Sequence, residues 1–190
     1  MSNKSLAKDA SELSILVTGG AGFIGSHTCV ELLARGYNVI VVDDLSNSSE
    51  VAVERVRTIA GVGPDRLVFH EANILDRDAM EAIFSEHDVD AIIHFAGFKA
   101  VGESVQKPLE YYWNNIAGTL VLCDVARNHG VKNIVFSSSA TVYGEPEFVP
   151  ITEDCPKHPA TNPYGQTKTM LEQVLTDLYA GDNEWNVVLL

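Results

Sequence analysis

A glycine-rich run near the N-terminus constrains the fold more strongly than any other feature of this sequence. The run TGGAGFIG, residues 18–25, follows an apolar segment of strand length and opens an amphipathic stretch of helical length. Gly19 permits a tight turn, Gly22 lets the backbone approach a phosphate group, and Gly25 lets the helix pack closely on the strand. Because N–H groups at a helix N-terminus attract anions, the run predicts a β-α unit that binds a dinucleotide. A glycine-rich turn without a ligand is the alternative.

Strand-length apolar runs alternate with longer helical patterns along the rest of the chain. Six such runs separated by helices predict an α/β fold with a Rossmann-type, doubly wound parallel sheet. The chain has 190 residues, a length that fits one domain. The predicted strands cover residues 13–17, 37–42, 66–70, 89–95, 131–137 and 186–190, and the predicted helices cover residues 48–60, 77–86, 107–128 and 163–179, after a first helix that ends at Arg35.

Charge and cysteine content exclude several classes of function. The chain carries 13 Lys and Arg against 26 Asp and Glu, and a net charge of -13 disfavours binding to nucleic acid or to an anionic membrane. Its three cysteines form no C-x-x-C pair, and its six histidines show no metal-ligand spacing, so no disulfide framework and no metal site are expected. No signal peptide or membrane-spanning run is evident, which predicts a cytoplasmic protein.

A carboxylate follows the second predicted strand. Asp43 lies 18 residues beyond Gly25, where a dinucleotide-binding fold places an acidic side chain against the adenosine ribose hydroxyls. A carboxylate at that place repels a 2′-phosphate, so NAD is favoured over NADP. Asp44 is the neighbouring alternative, and either side chain can instead be simply solvated.

Two further segments carry groups suited to proton transfer. Tyr164 and Lys168 are four residues apart at a predicted helix start, so both side chains lie on one face of that helix. A nearby ammonium group favours the phenolate form of a tyrosine. Ser139 follows the fifth strand, at the sheet edge where α/β folds bind ligands, although a serine there is more often a turn former. The Y-x-x-x-K pattern alone is weak evidence of a site. It indicates one here because it follows the glycine run and Asp43 in the expected order along the chain.

Four strings of the sequence resemble the extended short-chain dehydrogenase/reductase family, over residues 14–190. They are TGGAGFIGSHT, HFAGFKAVGESVQKPLEYY, FSSSATVYG and PYGQTK, and the second and third are similar in particular to members that act on UDP-hexoses. The resemblance implies that Ser139, Tyr164 and Lys168 are catalytic. Together with the glycine run and Asp43, it implies a set of NAD-binding residues: Gly19, Gly22, Phe23, Ile24, Gly25, Asp43, Asn47, Ser48, Asn73, Ile74, Phe95, Ala96, Gly97, Lys99, Asn114, Ser137, Tyr164 and Lys168.

The same resemblance implies inversion at carbon 4 of a UDP-hexose through a transient 4-keto sugar, and a homodimer formed by the 107–128 and 163–179 helices. Asn73 departs from the family pattern, which has an acidic residue there. Residues 13–190 are then an NAD-binding domain that ends before a smaller substrate domain, with residues 1–12 a disordered extension. A dehydratase is disfavoured because Ser139-Ala140-Thr141 contains no acidic pair, and a non-catalytic NAD-binding regulator because the Tyr/Lys pair is retained. The sequence leaves open whether the sugar is glucose or N-acetylglucosamine.

Overall fold

The computed structural model describes residues 9–190 and contains one parallel sheet of six strands. These are β1 (Ser14–Thr18), β2 (Asn38–Asp43), β3 (Leu67–Glu71), β4 (Ala91–His94), β5 (Asn133–Phe136) and β6 (Asn186–Leu189). Their order is β3-β2-β1-β4-β5-β6, with every neighbouring pair parallel. The predicted Rossmann-type sheet is confirmed. Because the order reverses between β1 and β4, a crevice opens at the carboxyl ends of these two strands.

Seven helices connect and cover the strands. They are α1 (Phe23–Ala34), α2 (Glu50–Ala60), α3 (Arg77–Glu86), α4 (Val101–Gln106), α5 (Pro108–Tyr112), α6 (Gly118–Asn128) and α7 (Pro163–Gly181). The short helix α4 was not predicted. The predicted 107–128 helix is confirmed, but a π-helical turn, Trp113–Ala117, separates α5 from α6. Of the predicted N-terminal extension, residues 1–8 lie outside the described residues, and Ala10–Glu12 form a short 3-10 turn.

The sheet carries an apolar core on each face, as expected for strands covered on both sides. Leu16 and Val42 point to the core formed with α3, α6 and α7, which also holds the fully buried Trp185. Val17 and Val41 point to the opposite core, against α1 and α2. The apolar cores on the two faces hold the sheet between its helices, and the crevice lies at the carboxyl ends of the strands. Within residues 9–190, no helix is both long enough and apolar enough to cross a bilayer.

Candidate active site

A cleft at the carboxyl edge of the sheet collects most of the residues that the sequence singled out. Its walls include Gly19, Gly22, Phe23, Ile24, Gly25, Asp43, Asn47, Ile74, Phe95, Ala96, Gly97, Lys99, Asn114, Ser137, Tyr164 and Lys168. Sequence reasoning did not assign Val42, Ser46, Ala72, Phe98 and Ser138, which also line it, and it left Asp44 as an alternative. Three predicted site residues, Ser48, Asn73 and Ser139, do not line the cleft, and each hydrogen-bonds to another residue of the protein.

The glycine loop packs so closely that side chains are excluded from it. Gly19 adopts a left-handed conformation with φ 68°, and its N–H donates to the Val42 carbonyl at 2.8 Å. A Cβ at Gly25 would lie 2.2 Å from the Gly19 carbonyl oxygen. Gly22, the residue before α1, has no capping side chain, and the first helical bond runs from the Ser26 N–H. The preceding amides of the first turn therefore face the cleft, where they can bind an anion.

Asp43 ties the end of β2 to the glycine loop. One carboxylate oxygen accepts the Ala21 N–H at 3.0 Å, and the other accepts the Leu45 N–H at 3.0 Å and the Ser48 hydroxyl at 2.7 Å. The carboxylate is 7% exposed and forms part of the cleft wall. Since these three donors fix its position, it can present a lone pair to a ligand without reorganising.

The second acidic residue, Asp44, is engaged differently. Its Oδ2 accepts a hydrogen bond from the Asn73 side-chain amide at 2.9 Å, while Asn73 Oδ1 accepts the Leu75 N–H at 2.8 Å. Both polar ends of Asn73 thus have protein partners. The assignment of Asn73 to the adenine remains a prediction.

Tyr164 and Lys168 lie on the first turns of α7, as their spacing predicts. The helix begins with Asn162, whose side chain accepts the Gly165 N–H at 2.8 Å. The Lys168 ammonium donates to the Ser137 carbonyl at 2.8 Å and stands 6.0 Å from the centre of the Tyr164 ring. Lys168 is 6% exposed, and burial lowers its pKa to about 8. A desolvated cation therefore faces the tyrosine ring at one end of the cleft.

Ser139 begins the 3-10 turn Ala140–Tyr143. Its oxygen accepts the Thr141 N–H at 3.3 Å and the Thr141 hydroxyl at 2.9 Å. Neither bond uses the Ser139 hydroxyl proton. That proton can be donated to a ligand oxygen, and the catalytic assignment of Ser139 stays a prediction.

A buried histidine supports the floor of the cleft. The Thr119 hydroxyl donates to the Asn115 carbonyl at 2.7 Å, so it accepts the His94 Nε2–H at 2.8 Å. His94 Nδ1 then accepts the Thr18 hydroxyl at 2.6 Å, and Thr18 in turn accepts the Ala96 N–H at 3.3 Å. Burial lowers the pKa of His94 to about 3, which keeps the ring neutral. His94 is thus a buried, fully hydrogen-bonded residue at the end of β4.

One contact behind the cleft was missed by sequence reasoning. Glu172, 8% exposed, accepts the hydroxyl of Ser138 at 2.5 Å and pairs with Lys157. Lys157 belongs to residues 144–162, the long loop between the 3-10 turn and α7. Its ion pair with Glu172 therefore holds this loop against α7, beside the cleft. The signal was present in the sequence, because Glu172 continues the four-residue spacing of Tyr164 and Lys168 along one face of α7.

Comparison with known proteins shows the family to which the chain belongs. Residues 15–190 match the model of the NAD dependent epimerase/dehydratase family. The chain is 62% identical over 178 residues to the UDP-glucose 4-epimerase of Bacillus subtilis (strain 168), covering 94% of this chain and 51% of that protein. It is 56% identical over 177 residues to UDP-glucose 4-epimerase 2 of Arabidopsis thaliana, covering 93% and 50%. The chain spans about half the length of these curated relatives.

A solved structure shares the fold of this chain over about half of its own length. The chain is similar to the crystal structure of UDP-glucose 4-epimerase from Bifidobacterium longum in complex with NAD+ and UDP, with a TM-score of 0.90 and 53% identity. The match covers 93% of this chain and 52% of that chain.

Proposed function

The chain belongs to the NAD dependent epimerase/dehydratase family, and we propose that it supplies the NAD-binding and catalytic half of a UDP-hexose 4-epimerase. The observation that carries the proposal is the placement of Tyr164 and Lys168 on the same cleft as the glycine loop and Asp43. A non-catalytic NAD-binding protein has no need of a buried lysine beside a tyrosine. The relatives named above, which are UDP-glucose 4-epimerases by name, support the substrate class.

The cleft fits NAD on the evidence of its own packing. The close approach at Gly25 leaves space only for backbone, and the uncapped first turn of α1 offers N–H groups to a pyrophosphate. Asp43 stands at the end of β2, where it can accept hydrogen bonds from ribose hydroxyls and repel a 2′-phosphate. When bound, NAD would accept a hydride from carbon 4 of the sugar and return it to the opposite face.

The side chains at the other end of the cleft would move the proton. Tyr164 takes the proton of the sugar 4-hydroxyl as a 4-keto sugar forms, and later gives it back. The Lys168 ammonium, 6.0 Å from the centre of the Tyr164 ring, would stabilise the negative charge that develops on the phenol oxygen as the proton moves. Ser139 donates its unused proton to the same sugar oxygen and so stabilises the charge that develops there.

The test is conversion of UDP-galactose to UDP-glucose. It is measured with this chain and with this chain fused to the C-terminal half of the Bacillus subtilis relative, since the relatives are about twice as long. Tyr164→Phe keeps the ring and removes the hydroxyl, so we expect activity to fall at least about a hundredfold while NAD stays bound. Tyr179→Phe, on the exposed end of the same helix, is the matched control and should keep full activity.

Two outcomes would contradict the proposal. An NAD-loaded fusion that converts neither UDP-galactose nor UDP-N-acetylgalactosamine is not an epimerase, and equal activity in the Tyr164→Phe and Tyr179→Phe proteins would remove Tyr164 from the reaction.

A homodimer through the α5–α6 and α7 helices is part of the proposed function. These helices present an apolar surface formed by Leu109, Glu110, Tyr112, Trp113, Ile116, Ala117, Leu120 and Met170. Leu109 is 78% exposed and Trp113 69% exposed, an uncommon state for such large apolar side chains side by side. A second copy of the same surface would cover both residues in a self-complementary interface.

Sedimentation velocity tests the dimer. We expect the mass of two chains for the wild type and of one chain for Trp113→Glu. Ile59→Glu is the control, because Ile59 is equally exposed, at 69%, but lies on α2 outside this surface. A monomeric wild type, or equal effects of both substitutions, would disprove the interface.

We further propose a reducing, cytoplasmic location. Cys29, Cys123 and Cys155 are all unpaired and buried, and burial raises the pKa of the Cys29 and Cys123 thiols to about 12. Such thiols are unreactive, which suits a protein that needs no disulfide. Fluorescent tagging of the chain in its own cells tests the location.

A further inference from the structure

A histidine pair lies apart from the cleft and has no part in the proposed reaction. His70 on β3 and His87 at the end of α3 bring their Nε2 atoms to 2.8 Å. The rings meet nearly edge to face, with centroids 5.0 Å apart and an interplanar angle of 65°. A carboxylate oxygen of Glu86 lies 4.0 Å from His87 Nε2. One nitrogen of each ring and one carboxylate oxygen all lie within 4.8 Å of one another.

The backbone holds these groups on two different elements. His70 is part of the β2–β3 ladder, where it is the partner of Val42. The His87 N–H closes α3 by donating to the Ile83 carbonyl at 3.1 Å, and His87 itself is extended, with φ -122° and ψ 141°. Both rings are half-buried, whereas Glu86 is exposed. The backbone therefore fixes where both imidazoles are attached, while the exposed carboxylate of Glu86 is free to adjust.

The donor set suits a particular class of ion. Two neutral imidazoles and one carboxylate are ligands typical of zinc and related transition metals, and imidazole is a poor ligand for magnesium or calcium. Without a metal, the facing nitrogens can share only one proton, so a single N–H···N bond is the most that the pair can make.

We propose that His70, His87 and Glu86 bind a divalent transition metal ion of the zinc class and thereby clamp the edge strand β3 to the end of α3. With zinc–nitrogen bonds of about 2.0–2.1 Å and tetrahedral angles, the two nitrogens stand about 3.3 Å apart. The rings must therefore separate by roughly 0.5 Å from their present contact, a movement within the range of half-buried side chains. Three protein ligands leave the fourth position to water.

The site is tested by titrating zinc into the metal-stripped chain in a calorimeter, which measures the affinity and the number of ions bound. We expect one ion per chain for the wild type and a loss of affinity of at least about tenfold in His70→Ala and in His87→Gln. Glu86→Gln should weaken binding less, because its carboxylate is exposed and replaceable by water. His158→Ala is the matched control, since His158 also pairs with a carboxylate, that of Glu147, and has no second imidazole.

A second readout separates binding from misfolding. Zinc should raise the melting temperature of the wild type and of His158→Ala, and leave that of His87→Gln unchanged, while all three proteins melt at similar temperatures in the presence of a chelator. The proposal is overturned if zinc does not bind the wild type, or if His70→Ala and His87→Gln bind it as well as His158→Ala does. Magnesium should bind none of these proteins.

Discussion

The two ends of the cleft differ in how far apart in sequence their parts lie. At the glycine-loop end, the hydrogen bonds of Asp43 stay within one stretch of the chain, since Ala21 and Ser48 are 22 and 5 residues away. The Tyr164 end joins distant parts, since Lys168 reaches the Ser137 carbonyl 31 residues before it. The first end is fixed by backbone and short polar contacts, and the second depends on packing of the whole sheet.

The two ends also differ in how they hold charge. The Asp43 carboxylate accepts three hydrogen bonds, which is close to what water would supply. The Lys168 ammonium has one carbonyl acceptor and otherwise faces the rings of Phe136 and Tyr164, at 4.6 Å and 6.0 Å. The Asp43 carboxylate is well hydrogen-bonded, whereas the Lys168 ammonium is poorly solvated. We therefore expect substitutions at the two ends to change stability and NAD affinity differently.

The largest effect is expected where packing leaves no space. Gly25→Ala places a Cβ 2.2 Å from the Gly19 carbonyl oxygen, so the glycine loop must move. We expect NAD affinity to fall at least about a hundredfold and unfolding free energy to fall by about 3 kcal/mol. Fluorescence titration with NADH and urea unfolding measure the two quantities. Gly102→Ala, where a Cβ meets nothing within 4 Å, is the control and should change neither.

A smaller effect, confined to the Tyr164 end, is expected from Lys168→Met. The folded-state pKa of Lys168 is about 8, below its ordinary 10.5, so the buried charge opposes folding below pH 8 and this cost disappears as the pH rises to 10.5. At about pH 7 the variant should be more stable than the wild type by at most about 3 kcal/mol, and the difference should shrink by about pH 9.5.

Urea unfolding of both cofactor-free proteins at these two pH values measures the difference. A difference independent of pH would show that lost packing, and not the buried charge, governs the response. Whatever the stability result, the Lys168→Met fusion protein should lose epimerase activity, because methionine carries no charge that could stabilise a phenolate.

The smallest effect should come from Asp43→Asn. The amide keeps one acceptor oxygen but turns an N–H₂ group toward donors on Ala21 or on Leu45 and Ser48. We expect NAD affinity to fall about tenfold and discrimination against NADP to weaken. Asp44→Asn is the control, measured by the same titrations with both dinucleotides. A larger effect of Asp44→Asn would transfer the ribose contact to Asp44.

The contrast between the two ends explains what the sequence could predict. The glycine loop and Asp43 follow from local spacing, and the sheet follows from apolar runs that match the observed strands to within one or two residues for most of them. Helix α4 escaped prediction because its six residues include Gly102 and Ser104 and show too short a pattern. The bond between Ser138 and Glu172 escaped because it joins residues 34 apart.

The histidine pair shows the same limit outside the cleft. His70 and His87 are 17 residues apart, a separation that matches no short metal-binding motif. The two rings meet only in the folded chain, where the end of α3 lies near β3. The expectation of no metal site rested on spacing alone, and spacing does not show which side chains of two separate elements meet.

The π-helical turn between α5 and α6 makes the length of this helix a constraint in its own right. Asn114 lies on the cleft wall, Asn115 holds the Phe98 backbone through both ends of its amide, and Trp113 faces outward. Deleting one residue from the turn would restore regular helix and leave α5 and α6 close to their present orientation, because a π-helical turn takes up one extra residue by widening. The extra residue sets which side chains of the turn face inward, so its loss would displace Asn114 or Asn115 even though the flanking helices keep their directions.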